Sequence, residues 1–176
     1  MDNIQSLKTA LMASIQLEEE SREFYLKAAK KSKNLYGKKV FEALADDETR
    51  HIVVMKEYCE ITAKKKSAPK LCAVVPQHKD IAKRILLSET ESEQLANVAV
   101  GADELKAYEI AMKMENKGYA LYKESADKAT DPDVNELYRF LMGEEEAHYD
   151  LLSNAYEYLK NPASWFTKEE KPIVEG

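Results

Sequence analysis

Apolar residues recur every three to four positions through four long stretches, 3–33, 35–63, 102–130 and 132–159. That spacing marks one face of an α-helix, so the chain is read as all-α. The inward stripe of the first stretch runs Ile4, Leu7, Leu11, Ser14, Glu18, Ser21, Tyr25 and Ala28. The second gives Phe41, Leu44, Glu48, His51, Met55 and Tyr58, and the third gives Tyr108, Ala111, Glu115, Gly118, Tyr122 and Ser125. The fourth gives Tyr138, Leu141, Glu145, His148, Leu152 and Ala155. Each stripe is interrupted midway by a glutamate, and the second and fourth add a histidine one turn later. A plain bundle would place apolar residues there.

Short connections join the first helix to the second and the third to the fourth, which predicts two antiparallel hairpins. Asp131 followed by Pro132 is an N-cap with proline at the first helical position. Asn161-Pro162 closes the last helix. The segment 64–101 is far longer and carries Pro69 and Pro76, with a stretch at 79–87 that suits a short helix. Such a connection predicts a crossover that joins the hairpins into an antiparallel four-helix bundle. The 176 residues suit one domain over 1–160 and a C-terminal tail over 161–176. Trp165 and Phe166 in that tail are expected to pack on the bundle or against a second subunit.

An internal repeat ties the halves together. A shift of 97 positions carries Leu17, Glu18, Tyr25, Ala29, Leu44, Glu48 and His51 onto Met114, Glu115, Tyr122, Ala126, Leu141, Glu145 and His148. The order Glu, Tyr, Glu-x-x-His thus occurs twice with the same spacing, and a pseudo-twofold architecture follows.

Composition narrows the function classes. Glycine and proline number five each and no proline precedes Pro69, which leaves room for long unbroken helices. The net charge is -6 with the basic residues dispersed, so there is no nucleic-acid footprint. No apolar run has the length of a membrane span, and the N-terminus lacks the pattern of an export signal. Cys59 and Cys72 form no CxxC pair or disulfide framework, which places the chain in the cytoplasm with reduced thiols. Glu19, Glu20, Glu144 and Glu146 read as surface charge, and His78 as an exposed loop residue.

Four inward carboxylates at one level cannot all stay ionised without counter-charge, because like charges raise one another's pKa and burial penalises each. Two divalent cations would balance the four charges. Glu-x-x-His places both side chains on one helical face, so a single ion can take an oxygen and a nitrogen. Such oxygen-rich ligation with one imidazole per metal suits iron or manganese better than a structural zinc site.

A glutamate on each of two helices and Glu-x-x-His on the other two resembles the di-iron carboxylate pattern of ferritin-like proteins. Within that group IQLEEESREFYLKAAKK…VFEALADDETRH and KMENKGYALYKESADKA…LYRFLMGEEEAHY resemble the two hairpins of the rubrerythrin family. The resemblance implies Glu18 and Glu115 as terminal ligands, Glu48 and Glu145 as bridges, and His51 and His148 on one metal each. Tyr25 and Tyr122 either hydrogen-bond the ligand carboxylates or serve packing. Some relatives place the first glutamate three residues earlier, where this chain has Ile15 and Met112, so Glu18 and Glu115 are adopted.

Two departures from the family pattern bear on function. Classical rubrerythrins carry a rubredoxin domain with paired CxxC motifs, which this sequence lacks. They also carry an additional glutamate one turn after the third helix's ligand, where this chain has Gly118. The resemblance implies two iron ions, with manganese or zinc able to substitute. It implies reduction of hydrogen peroxide with electrons from an external rubredoxin or flavoprotein. The alternatives are ferroxidase action or iron binding, with oxygen as oxidant, and a bundle in which metal is only structural. A homodimer is expected.

Overall fold

The computed structural model describes residues 2–65, 67–74 and 101–161. Four long helices occur among them: α1 (Asp2–Lys31), α2 (Leu35–Lys65), α3 (Ala102–Lys128) and α4 (Pro132–Lys160), with a 3-10 turn at Leu71–Ala73. The short helix expected at 79–87, His78, and the tail residues Trp165 and Phe166 lie outside the described residues.

The turns are written in local chemistry. Asn34 is buried between α1 and α2, and its Oδ1 accepts from the Gly37 amide at 3.1 Å, which caps α2. Gly37 brings the helices close there, since a Cβ would lie 2.9 Å from Glu104 Oε1 and 3.0 Å from the Tyr108 hydroxyl and would have to displace them. α3 ends at Lys128, two residues short of the expected limit, with Ala129 already extended. The Asp131 carboxylate then accepts from the amides of Asp133 at 2.9 Å and Val134 at 3.4 Å. Asn135 Nδ2 reaches back to the Ala126 carbonyl at 2.7 Å and ties the two helix ends together.

α1 packs on α2 and α3, and α4 packs on α3 and α2. Along α1, Glu18 meets Tyr122, Tyr25 meets Glu115 and Ser32 meets Glu104, so α1 and α3 run antiparallel. Since α1 is also antiparallel to α2, helices α2 and α3 point the same way. The chain leaving Lys65 must therefore return along the whole bundle, about 40 Å, before α3 begins. That geometry is the reason for the long connection.

The inward stripes are buried from Leu11 to Ala28 on α1 and at every expected position of α2 and α4; on α3 only Ser125 is partly exposed. The apolar interior divides into two clusters. One gathers Tyr25, Phe41, Leu44, Tyr108, Ala111, Leu152 and Leu159. The other gathers Leu11, Met55, Tyr58, Tyr122, Leu137, Tyr138 and Leu141. Between them lies a layer of carboxylates and imidazoles. Each fully buried large side chain in the clusters contributes roughly 1.5–3 kcal/mol, and this is what holds the helices around a polar layer that opposes folding.

Candidate metal centre

The layer contains Glu18 from α1, Glu48 and His51 from α2, Glu115 from α3, and Glu145 and His148 from α4, each at most 4% exposed. They fall into two groups whose potential ligand atoms lie within 4.8 Å of one another. One is Glu18, His51 and Glu145; the other is Glu48, Glu115 and His148. Each group takes its first glutamate and histidine from one hairpin and its remaining glutamate from the other. The six residues singled out from the repeat are thus all brought together.

Glu48 stands between the groups with its oxygens divided. Oε2 lies 3.3 Å from His51 Nδ1, and Oε1 lies 3.5 Å from His148 Nδ1. Each Nδ1 also faces the glutamate of its own hairpin at 3.6 Å, Glu18 for His51 and Glu115 for His148. The two imidazole rings are stacked with centroids 5.4 Å apart. Despite this crowding, both Nδ1 atoms and both Glu48 oxygens are buried without a hydrogen-bond partner. Buried lone pairs aimed at a common space, on residues whose chemistry is that of oxygen and nitrogen ligands, fit a pair of divalent cations.

The electrostatics point the same way. Burial and the Glu18 charge push Glu48 up to about 8. Burial and Glu115 push Glu145 well above the usual carboxylate range. Burial would raise Glu18 too, but the adjacent Glu48 carboxyl, the His51 imidazole and the Tyr122 hydroxyl hold it down at about 2. For Glu115 burial is likewise outweighed, chiefly by Glu145 and His148, and its carboxyl is lowered. Burial works against charge on both histidines, yet the carboxylates around them, Glu144, Glu18 and Glu48 for His51, Glu115 and Glu48 for His148, raise each well above its ordinary value. Without metal, protons supply the missing positive charge.

Tyr25 and Tyr122 are fully buried, and their hydroxyls donate to ligand-type carboxylates. The pairing is crosswise: Tyr25 bonds Glu115 and Tyr122 bonds Glu18. Burial and the facing glutamates raise both phenols well above their usual value, so both remain donors. Each ring stacks on its neighbour in the repeat, Tyr25 on Phe41 at 6.1 Å and Tyr122 on Tyr138 at 6.2 Å. Gly118 lets the Glu145 carboxylate in, because a Cβ there would sit 2.9–3.0 Å from all three carboxyl atoms.

Two residues of this neighbourhood were not singled out from the sequence. Glu144, read as surface charge, is only 23% exposed and its Oε2 lies 3.4 Å from His51 Nε2. Asp47 is 2% exposed and its Oδ2 lies 3.7 Å from His148 Nε2. An acid beside an acid in a helix suggests solvent, but the 97-residue shift carries Asp47 onto Glu144 and was the available signal. Of the cysteines, Cys59 is half-buried and Cys72 exposed. No helix among the described residues is long and apolar enough to cross a membrane.

Comparison with curated proteins and with solved structures returned no significant match. Among protein families the rubrerythrin model matches residues 9–156. That span covers both hairpins and all six buried carboxylate and imidazole side chains, and on this match, across most of its length, the chain belongs to the rubrerythrin family.

Proposed function

We propose that the chain holds two iron ions and reduces hydrogen peroxide to water with electrons from a separate donor. The observation that carries the reading is the paired set of buried ligand groups, each with one imidazole and carboxylates from two hairpins. Glu18 and Glu115 would serve as terminal ligands, Glu48 and Glu145 would be shared by the two ions, and His51 and His148 would hold one ion each. Bound ferrous iron would supply the Lewis acid and the two electrons that, with two protons, turn one peroxide into two waters.

The chain's own residues supply position and dryness. The Tyr25 and Tyr122 hydroxyls fix the Glu115 and Glu18 carboxylates. The apolar clusters on either side keep bulk water from the layer. Cys59 and Cys72 form no CxxC pair, and in this reading the electrons arrive from a separate partner such as rubredoxin or a flavoprotein.

A second reading, ferroxidase action or iron binding without peroxide turnover, draws on Gly118, which places no further carboxylate beside Glu145. Anaerobic loading with ferrous iron, then rapid mixing with peroxide and separately with oxygen, decides between them. Oxidation of two irons per chain much faster by peroxide supports the first reading. Faster oxidation by oxygen supports the second, and failure to bind iron stoichiometrically removes both.

A further inference from the structure

The pseudo-twofold breaks down at the ends of the bundle. Between the first turns of α1, the end of α2 and the α3–α4 corner lies a cavity of about 280 Å³. At the matching place in the other half, the Tyr108 ring packs on Phe41 with centroids 4.7 Å apart, and Ser32 on α1 donates to Glu104 on α3. The shift of 97 positions puts Leu11 where Tyr108 stands, Leu7 where Glu104 stands and Ala129 where Ser32 stands. Neither the ring contact nor the hydrogen bond can form at the cavity end. Tyr58, larger than its equivalent Ala155, packs in the apolar cluster and is not a wall of the cavity.

The walls combine two kinds of surface. Leu7, Ala10 and Ala129 are apolar, while Thr62, Ser125 and Tyr138 bring hydroxyls. Tyr138 stands where the other half has Phe41, and Ser125 where it has Ala28. Tyr138 is 2% exposed and its hydroxyl has no hydrogen-bond partner, although Ser125 lies beside it. A buried hydroxyl left unpaired calls for a partner. The Thr62 hydroxyl already donates to the Tyr58 carbonyl at 2.8 Å, which leaves its oxygen as an acceptor. The two charged wall residues are engaged elsewhere, since Lys128 pairs with Glu124 and Asp131 caps α4. Neither is directed at an ion in the cavity, so the walls suit an uncharged ligand. Water can satisfy the hydroxyl, but only an apolar group gains from contact with Leu7, Ala10 and Ala129.

We propose that the cavity is a binding site for a small uncharged phenol, with its ring against the apolar walls and its hydroxyl accepting from Tyr138 and donating to Ser125 or Thr62. An apolar cavity of about 150 Å³ takes a benzene, so this one has room for a ring with a substituent. The Tyr138 ring also stacks on Tyr122 at 6.2 Å, and Tyr122 donates to Glu18. An occupant touching Tyr138 is thus connected to the polar layer through two rings.

The test is a titration of phenol into the metal-free full-length protein, followed by calorimetry and by proton NMR. Binding is measured without metal, so its outcome is independent of whether the layer holds iron. Saturable binding of one phenol per chain is expected, with contacts from its ring protons to the Ala10 and Ala129 methyls. Toluene, which lacks the hydroxyl, is expected to bind about 2- to 10-fold more weakly, the value of one neutral hydrogen bond. Benzoate, which carries a charge, is expected to bind more weakly still. Tyr138→Phe installs the residue of the repeat equivalent, and should weaken phenol by the same factor while leaving toluene unchanged. Ala10→Phe fills the cavity and should abolish both. Thermal melting of each variant checks that it is folded. If Ala10→Phe is unfolded, Tyr138→Phe and the methyl contacts in the unmodified protein carry the test. The proposal is overturned if phenol does not saturate, as when water or a second copy of the chain fills the cavity. It is overturned equally if toluene or benzoate binds as tightly as phenol, or if phenol binds Tyr138→Phe as tightly as it binds the unmodified protein.

Discussion

The phenol of Tyr25, on α1, donates to the carboxylate of Glu115, on α3. Tyr122 on α3 returns the bond to Glu18 on α1, so each first glutamate is held by a tyrosine of the opposite hairpin. The antiparallel course of α1 and α3 makes this crossing possible: residues two turns apart on one helix face residues two turns apart on the other in reverse order. The paired bonds link the two halves at the polar layer itself, where no apolar contact can.

Removing one phenol tests this link. Tyr25→Phe leaves the ring stack with Phe41 in place and takes away only the donor. A hydrogen bond to a charged buried group is worth about 1.5–3 kcal/mol, so the metal-free protein should lose about that much stability and melt at a lower temperature. Ferrous or cobalt affinity should fall about 10- to 100-fold, as for other partners of metal ligands. Thermal melting and metal titration of the variant check both, and Tyr122→Phe should behave alike. Unchanged affinity in both would reduce the tyrosines to packing.

Gly118→Ala should separate folding from metal binding. In the middle of α3 an alanine gains up to about 1 kcal/mol in helix propensity. Its Cβ would nonetheless fall 2.9 Å from Glu145 Cδ. The end of that flexible side chain can swing aside, so the metal-free protein should keep or raise its melting temperature. The displaced carboxylate should weaken metal binding. A variant that binds metal as tightly as the parent would show that Glu145 does not need its present position.

The helices, the hairpin pairing and the six inward ligand-type residues were all legible in the sequence. Periodicity marks buried faces, and two copies of Glu, Tyr, Glu-x-x-His mark what those faces hold. Three things were not. Tyr25 and Tyr122 were left between bonding the ligand carboxylates and packing, and the crosswise choice of Glu115 for Tyr25 depends on the register between α1 and α3. Glu144 flanks the inward stripe and faces water in a helical wheel, yet it meets His51 across the contact between α2 and α4. The end of α3 at Lys128 follows from the extended backbone that precedes the Asp131 cap. Each depends on tertiary neighbours, which a single helix's pattern does not carry.

The Asp131 cap offers a control remote from the layer. Its carboxylate satisfies two amides at the start of α4. Asp131→Ala should cost about 1 kcal/mol of stability and leave the stoichiometry of metal binding unchanged. Melting and cobalt titration together check this. A change in metal binding would mean that the layer is sensitive to any loosening of the second hairpin.

The metal-free protein should lose stability as pH rises through neutrality. Glu48, raised from 4.5 to about 8 by burial and by Glu18, favours the protonated folded form. A group raised on folding contributes its full stabilisation below its unfolded pKa and loses it as pH climbs through the folded value. The window for Glu48 therefore runs from about 4.5 to about 8. His51 and His148, raised well above 6.5 by the surrounding carboxylates against the opposing effect of burial, add a loss of the same sign above that value. Glu18 and Glu115 are lowered, so their contribution has the opposite sign and is lost as pH falls below 4.5. Melting with a chelator present should thus be highest near about pH 5 and decline toward about pH 8. Bound cations displace the same protons, so metal affinity should rise over that range and the loaded protein should escape the decline. Melting curves with and without cobalt, and titration in buffers of different ionisation heat to count released protons, check each part. A metal-free melting temperature that rises steadily from pH 5 to 8 would mean that the four carboxylates find counter-charge somewhere other than protons on this layer.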